Sequence, residues 1–138
     1  MIEHDTESLS EAFWSVARQL RHLTKEALDP WDITPGQFRA LGVLMRHGAI
    51  RLSALSEHLR IAPRSTTEVV DGLEDRGLVE RQADPSDRRA TLVTVTEQGR
   101  TVGAAIMDAR RTEGDKMFGA LSADDQAELA RILGLLRT

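Results

Sequence analysis

The chain has 138 residues, a mass of 15.3 kDa and a formal net charge of -4, and this size predicts one domain, 1–138. The acidic balance excludes a polycation that coats nucleic acid, but it allows a specific DNA-binding protein with locally placed arginines. The absence of cysteine excludes disulfides and thiolate metal sites, and the absence of a long apolar run predicts a cytoplasmic protein without a signal peptide or membrane span.

Helix signals recur along most of the chain. Apolar residues at helical spacing follow capping residues or a helix-starting proline, which predicts six helices. Their predicted caps or first residues are Ser8, Thr34, Ser53, Pro63, Thr96 and Ser122. Only residues 60–62 separate the third helix from the fourth, a length typical of the turn in a helix-turn-helix pair. The fourth helix is expected to stop at Gly77.

The spacing of apolar residues changes from helical to alternating after Gly77. Residues 78–82 and 91–95 therefore predict the two strands of a hairpin, joined by a loop of about eight residues. A simple reversal of the chain needs only two residues. We therefore expect this loop, which contains the adjacent Arg88 and Arg89, to have a further role.

The order helix, tight turn, helix and hairpin predicts a winged helix-turn-helix. The second helix of such a pair fits the DNA major groove, where short polar side chains and an arginine can reach base edges. The predicted inward residues of this helix are Thr66, Val69, Val70 and Leu73, and the predicted DNA-binding residues are Arg64, Ser65, Thr67 and Glu68 with Arg88 and Arg89 of the hairpin. A hairpin arginine suits a DNA backbone or a narrow minor groove.

The terminal helices predict an oligomer. The fold class expected is mainly α with a small β-hairpin, in which a winged helix-turn-helix lobe, 34–96, is flanked by dimerisation helices in 1–33 and 97–138. The leucine-rich last helix has no obvious partner in so small a lobe, and a second copy would cover it. A homodimer would bind a palindromic site in double-stranded DNA.

The run LSALSEHLRIAPRSTTEVVDGLEDRGLVERQADPSDRRATLVTVTEQGR, residues 52–100, resembles the MarR family (multiple antibiotic resistance regulator). The motifs GLVER and DPSDRR and the strand that leads into TEQG carry most of this resemblance. The family implies a homodimeric transcriptional regulator, most often a repressor that a small phenolic or other anionic effector releases from DNA. No cofactor is implied.

The resemblance also implies roles for individual residues. Ser65 and Thr67 occupy base-reading positions, and Arg89 occupies the wing-tip arginine position with Asp87 as its acid. Asp71 matches an acid that can pair with that arginine, and Arg81 lies near the position where some members bind aromatic acids.

The sequence also departs from the family. Glu68 and Gly72 stand where members often carry a basic side chain. The segment from Arg60 to Arg100 contains seven basic and eight acidic residues. We therefore expect weak non-specific DNA binding with a shallow dependence on salt.

Several residues have more than one interpretation. Asp71 is either a solvated helix acid or a residue that braces the wing through Arg89 or Arg88. Trp14 and Trp31, with Phe38 and Arg81, are candidates for an effector pocket, although helical spacing makes Trp14 more simply a core residue. The histidines, His4, His22, His47 and His58, form no metal-binding motif, so no metal site is expected.

Two other functions compete with DNA binding. A winged helix can serve as a protein-interaction module without binding DNA, and the acidic balance is compatible with that alternative. An enzyme is disfavoured because the sequence has no catalytic cysteine, phosphate-binding loop or HExxH motif.

Overall fold

The computed structural model describes residues 7–137, so His4 lies outside the described residues. Contacts divide the described residues into two compact units, one formed by 7–27 together with 109–137, the other by Leu28–Asp108. The elements in chain order are α1 (Leu9–Glu26), a 3₁₀ helix (Asp29–Trp31), α2 (Pro35–His47), β1 (Ile50–Arg51), α3 (Leu52–Leu59), α4 (Pro63–Asp75), β2 (Val79–Asp84), β3 (Asp87–Val95), α5 (Glu97–Phe118) and α6 (Ala123–Leu136). Within 7–137, no helix has the length and apolar character needed to cross a membrane.

The predicted helix caps are largely confirmed. Ser8 Oγ accepts a hydrogen bond from the backbone N–H of Glu11, and Ser122 Oγ accepts one from Asp125, each at 3.1 Å. Thr34 and Gln37 form both halves of a capping box at the start of α2. The exception is α3, which begins at Leu52 instead of Ser53.

The wing, which is the β2–β3 hairpin, is longer than predicted and its loop is shorter. The strands extend to Asp84 and from Asp87, so the turn consists of Pro85 and Ser86, and the predicted loop of about eight residues is wrong. The register shifts between Ala83, which pairs with Thr91, and Asp84, which pairs with Asp87, so residues 88–90 have no partner in the register of β2. Arg88 and Arg89 consequently lie on β3.

A third strand, β1, was not predicted. Its two residues are too few to show an alternating pattern, but Ile50 pairs with Val93 and Arg51 with Leu92. The sheet is antiparallel in the order β1-β3-β2, so β3 is the central strand.

The core lies in the unit Leu28–Asp108. Predicted inward residues on three successive helices are fully or almost fully buried: Phe38, Leu41, Leu44, Leu55, Leu59, Thr66, Val70 and Leu73. Val69 is partly buried and packs against this core. Trp31 packs on it as well, from the 3₁₀ helix, a position that the sequence pattern did not predict as helical. The interpretation of Phe38 as a pocket residue is not favoured by its place in the core.

A close backbone approach fixes the start of α5 against the wing. A Cβ at Gly99 would overlap the carbonyl oxygen of Leu78. Thr96 Oγ1 donates a 2.6 Å hydrogen bond to the carbonyl of Gly77 and accepts one from the N–H of Gly99 at 3.0 Å. Thr96 is therefore the predicted cap of α5, and it also holds the base of the wing.

The unit that contains α1 and α6 has no comparable core. Neither helix has a buried residue, and large apolar side chains are exposed on both, including Leu9, Phe13, Trp14, Ile132, Leu135 and Leu136. An open groove of about 320 Å³ between α1, the end of α5 and α6 is lined by apolar residues alone. Trp14 is 56% exposed, so its interpretation as a core residue of the chain is wrong.

Candidate nucleic-acid interface

The first part of the candidate interface is the N-terminal half of α4. Pro63 is its first residue, and the preceding Ala62 supplies no side-chain cap, which leaves backbone N–H groups available to an anion. Arg64 and Ser65 are exposed and have no side-chain partner among residues 7–137. Glu68 is exposed as well. Thr67 is half-buried, and its hydroxyl donates a 3.0 Å hydrogen bond to the carbonyl of Pro63, so toward a ligand it can only accept.

A buried hydrogen bond sets how α4 lies on α3. Ser56 Oγ donates to Thr66 Oγ1 at 2.8 Å, and Thr66 Oγ1 donates to the carbonyl of Ala62 at 3.2 Å. Both side chains are buried, so breaking this chain of hydrogen bonds would leave a polar group unpaired in the core. The two helices of the helix-turn-helix are thereby held in one arrangement.

Arg81 connects the wing to α4. Its Nη1 donates to Glu74 and its Nη2 to Asp71, while its backbone N–H donates to the second carboxylate oxygen of Glu74 at 3.1 Å. Partial burial disfavours the charged guanidinium, but the hydrogen bonds to Asp71 and Glu74 outweigh it, so the pKa of Arg81 is raised above its ordinary value. We call Arg81, Asp71 and Glu74 the wing brace.

The wing brace corrects the predicted partner of Asp71. The predicted partner was Arg89 or Arg88, and in the structure it is Arg81. The reason is geometric: Asp71 and Glu74 lie one turn apart on α4, and β2 runs past them with Arg81 opposite, whereas Arg88 and Arg89 lie beyond the hairpin turn. Arg81, expected near an effector, has both terminal nitrogens occupied by carboxylates.

The tip of the wing presents the two adjacent arginines. Asp87 Oδ1 accepts a 3.0 Å hydrogen bond from the backbone N–H of Arg89 and lies 4.0 Å from Arg89 Nε. Asp87 therefore binds the backbone of β3 more closely than it binds the guanidinium of Arg89. The side chain of Arg89 is 96% exposed. Arg88 is exposed without a side-chain partner in the described part of the chain.

Four residues of this surface were not singled out from the sequence. Glu74 completes the wing brace, and Arg76 donates from Nη1 and Nη2 to the carbonyls of Asp32 and Trp31. Arg51 and Ser86 bond to the buried carboxylate of Asp84. The ion pair between Arg81 and Glu74 could have been predicted from the sequence, since α4 ends in acidic residues and an arginine follows soon after on β2. No pattern indicates the contacts of Arg76 or Arg51.

The predicted effector residues are divided between the two units. Trp14 lies on α1, in the first unit, and Trp31, Phe38 and Arg81 lie in the second. Phe38 is buried in the core and Trp31 is partly buried against it. The apolar groove of the first unit offers no polar side chain that could hold an anion. Among residues 7–137 there is no group of three or more potential metal ligands.

A buried helix-turn-helix, a recognition helix with unpaired polar residues and a braced wing with exposed arginines define a winged-helix DNA-binding protein. Residues 33–91 match the MarR family model. The chain is 32% identical over 118 residues to the HTH-type transcriptional regulator MhqR of Bacillus subtilis (strain 168), covering 85% of this chain and 78% of MhqR. The chain belongs to the MarR family.

Other relatives agree with this assignment. The HTH-type transcriptional repressor Rv2887 of Mycobacterium tuberculosis is 28% identical, with 94% of this chain and 93% of Rv2887 covered. A crystal structure of a MarR mutant from E. coli has a TM-score of 0.87 at 26% identity, covering 96% and 98% of the two chains. A mutant MarR from E. coli complexed with operator DNA has a TM-score of 0.75 at 27% identity, covering 94% of each chain. The named relatives are regulators of transcription.

Proposed function

We propose that this chain is a sequence-specific DNA-binding transcriptional regulator that binds a pseudo-palindromic operator as a homodimer and acts as a repressor. The observation that carries the proposal is that Arg64 and Ser65 on α4 are exposed and have no side-chain partner within 7–137, while Arg89 of the wing is 96% exposed. The relatives' names and the operator complex of a family member support it. Binding to genomic DNA would place the protein in the cytoplasm.

The roles within this surface follow from the contacts. Arg64 and Ser65 would read base edges in the major groove, Thr67 would accept a hydrogen bond, and Glu68 suits a cytosine amino group. Arg88 and Arg89 would contact DNA beside it. Asp71 would position the wing through Arg81, while Asp87 would orient the strand segment that carries Arg89.

Selection of bound fragments from a random DNA pool tests the proposal. We expect an enriched motif with two half-sites whose centres are about one helical turn, roughly 34–36 Å, apart. A variant with both Arg64→Ala and Ser65→Ala should lose the motif while it keeps residual binding to any sequence. No enrichment and no binding at low salt would contradict the proposal and favour a protein-interaction module.

A small-molecule effector is the second part of the proposal. Trp31 contacts the core beside α2, and Arg76 at the end of α4 donates to its carbonyl, so a ligand that moves Trp31 would also move the recognition helix. An aromatic or anionic molecule could also bind Arg81 by displacing a carboxylate of the wing brace. Phe38 and Trp14 are the remaining candidates for contact with such a molecule.

Tryptophan fluorescence, measured during titration with a panel of aromatic acids, tests this part. The chain has two tryptophans, so the variants Trp14→Phe and Trp31→Phe assign any change to one of them. We expect a saturable change that survives Trp14→Phe and is lost in Trp31→Phe, together with release of operator DNA. A change that comes from Trp14 alone would place the ligand in the other unit.

A further inference from the structure

Arg51 and Asp84 form an ion pair between the two outer strands of the sheet. Arg51 is the last residue of β1, Asp84 is the last residue of β2, and the central strand β3 lies between them. Arg51 Nε donates to Asp84 Oδ2 at 2.8 Å. The pair therefore links the start of α3 to the turn of the wing.

The carboxylate of Asp84 is fixed in place. Its side chain is only 8% exposed, and its Oδ1 accepts the backbone N–H of Ser86 at 2.9 Å and the Ser86 hydroxyl at 2.8 Å. The hydrogen bonds from Ser86, and then the bond and the charge of Arg51, hold the pKa of Asp84 below its usual range. Asp84 therefore stays ionised and gives Arg51 a stationary anchor.

The contacts of Arg51 differ from those of the other paired arginines near the wing. Arg81 uses both terminal nitrogens on carboxylates, and Arg76 uses both on backbone carbonyls. Arg51 is held through Nε alone, and in the described part of the chain its two terminal nitrogens have no partner. Its side chain is 46% exposed. The guanidinium is thus oriented and still has donors to offer.

The position of Arg51 puts these donors beside the DNA-contacting end of the wing. Asp84 pairs with Asp87 across the turn, and Arg89 lies two residues further along β3. Arg51 pairs with Leu92, three positions after Arg89 on β3.

We propose that the guanidinium of Arg51, oriented by Asp84, binds a backbone phosphate of the operator next to the wing. Two parallel N–H donors match the geometry of two phosphate oxygens, and an arginine that is already oriented loses less side-chain entropy on binding. Arg51 would then be a DNA contact outside both the recognition helix and the wing. The inference rests on the proposed function, because it needs an operator.

The test measures operator affinity by fluorescence anisotropy over a range of salt concentrations. Arg51→Gln should weaken binding about tenfold or more, to operator and unrelated DNA alike, because a phosphate contact carries no sequence information. The slope of log K against log salt should become shallower by about 2 for the dimer, which has two copies of Arg51. Asp84→Asn should also weaken binding, although it removes a negative charge.

Three controls make the result decisive. Arg39→Gln removes one exposed arginine of α2 and should change affinity and slope much less. Arg51→Lys keeps the charge and should give an intermediate loss, and it serves if Arg51→Gln does not fold. Thermal unfolding followed by circular dichroism should show that the variants compared are folded.

Other outcomes overturn the inference. An unchanged salt slope, with an effect of Arg51→Gln that disappears in an Arg89→Ala background, would mean that Arg51 only positions the wing. Unchanged affinity would exclude a contact altogether. Failure of the wild-type chain to bind any DNA at low salt would instead overturn the proposed function, and the inference with it.

Discussion

The neighbouring arginines Arg88 and Arg89 both lie on β3 where the register of the hairpin shifts, but they differ in what holds them. Asp87 holds the backbone of Arg89 and lies near its guanidinium, whereas Arg88 has no side-chain partner in residues 7–137. We infer that Arg89 makes the contact that depends on orientation and that Arg88 binds a phosphate.

Arg89→Ala should therefore reduce operator affinity more than Arg88→Ala does. If Arg89 reaches bases, its loss should cost roughly 1 to 3 kcal/mol of discrimination between operator and unrelated DNA. Arg88→Ala should weaken both DNAs equally and make the salt slope shallower. Competition titrations with the two DNAs measure the difference. Equal losses that do not vary with sequence would reduce both arginines to phosphate contacts.

At the scale of elements, the wing brace sets the angle between the recognition helix and the hairpin. Asp71→Ala should weaken operator binding by roughly two- to tenfold, even though removing a negative charge ought to favour DNA, because Arg81 loses one of its two carboxylate partners. Anisotropy titrations at constant salt measure this change.

Asp75→Ala is the matched control for Asp71→Ala. Asp75 is an exposed acid at the end of the same helix, with no side-chain partner in the described part of the chain. Its removal should leave operator binding unchanged or slightly stronger. If Asp71→Ala strengthens binding as Asp75→Ala does, Asp71 is only a solvated acid.

The elements also show what the sequence could predict. Ser8, Thr34 and Ser122 cap their helices as expected, because a cap depends on residues only three positions apart. The strand ends and β1 were not predicted, because pairing with a distant strand decides where a strand stops.

In the candidate site, too, the features that depend on neighbouring residues could be predicted from the sequence, and the contacts between distant residues could not. Helical spacing predicts which side of α4 is exposed. It places Thr66 on the inward side and the adjacent Ser65 on the outward side, and the structure confirms that Thr66 is buried and Ser65 exposed. The partner of Asp71 depends on which residue of β2 passes α4, and local sequence does not contain that register. The ion pair of Arg51 with Asp84 joins residues 33 positions apart and gives no local signal.

The whole molecule needs a second copy, because α1 and α6 leave their apolar residues without cover. Leu129, Ile132, Leu133 and Leu136 form one stripe on α6. Ile132→Asp should convert the dimer to monomers and abolish cooperative operator binding, because the charge enters a two-fold interface twice.

Sedimentation velocity measures that change of mass, and Ala127→Asp is the control. Ala127 lies on the opposite side of α6 and is exposed, so the same charge there should leave the dimer intact. A dimer that survives Ile132→Asp would place the interface elsewhere.

The charge of the whole molecule predicts how its DNA binding responds to salt. The arginines placed at the candidate interface are Arg51, Arg64, Arg88 and Arg89, and the dimer has two of each. If every one binds a phosphate, the slope of log K against log salt is about -7, at roughly -0.9 for each phosphate. Arg81 and Arg76 add nothing to this, since their terminal nitrogens are occupied within the protein.

The expected slope is therefore shallower than about -8, and non-specific binding should be weak for this class of protein. Titrations of operator and unrelated DNA between about 50 and 200 mM salt measure both quantities. A slope of about -8 or steeper would contradict this expectation and would mean that further exposed arginines, such as Arg60 and Arg100, also reach the DNA. In that case Arg60→Gln and Arg100→Gln would each make the slope shallower, which identifies the additional contact.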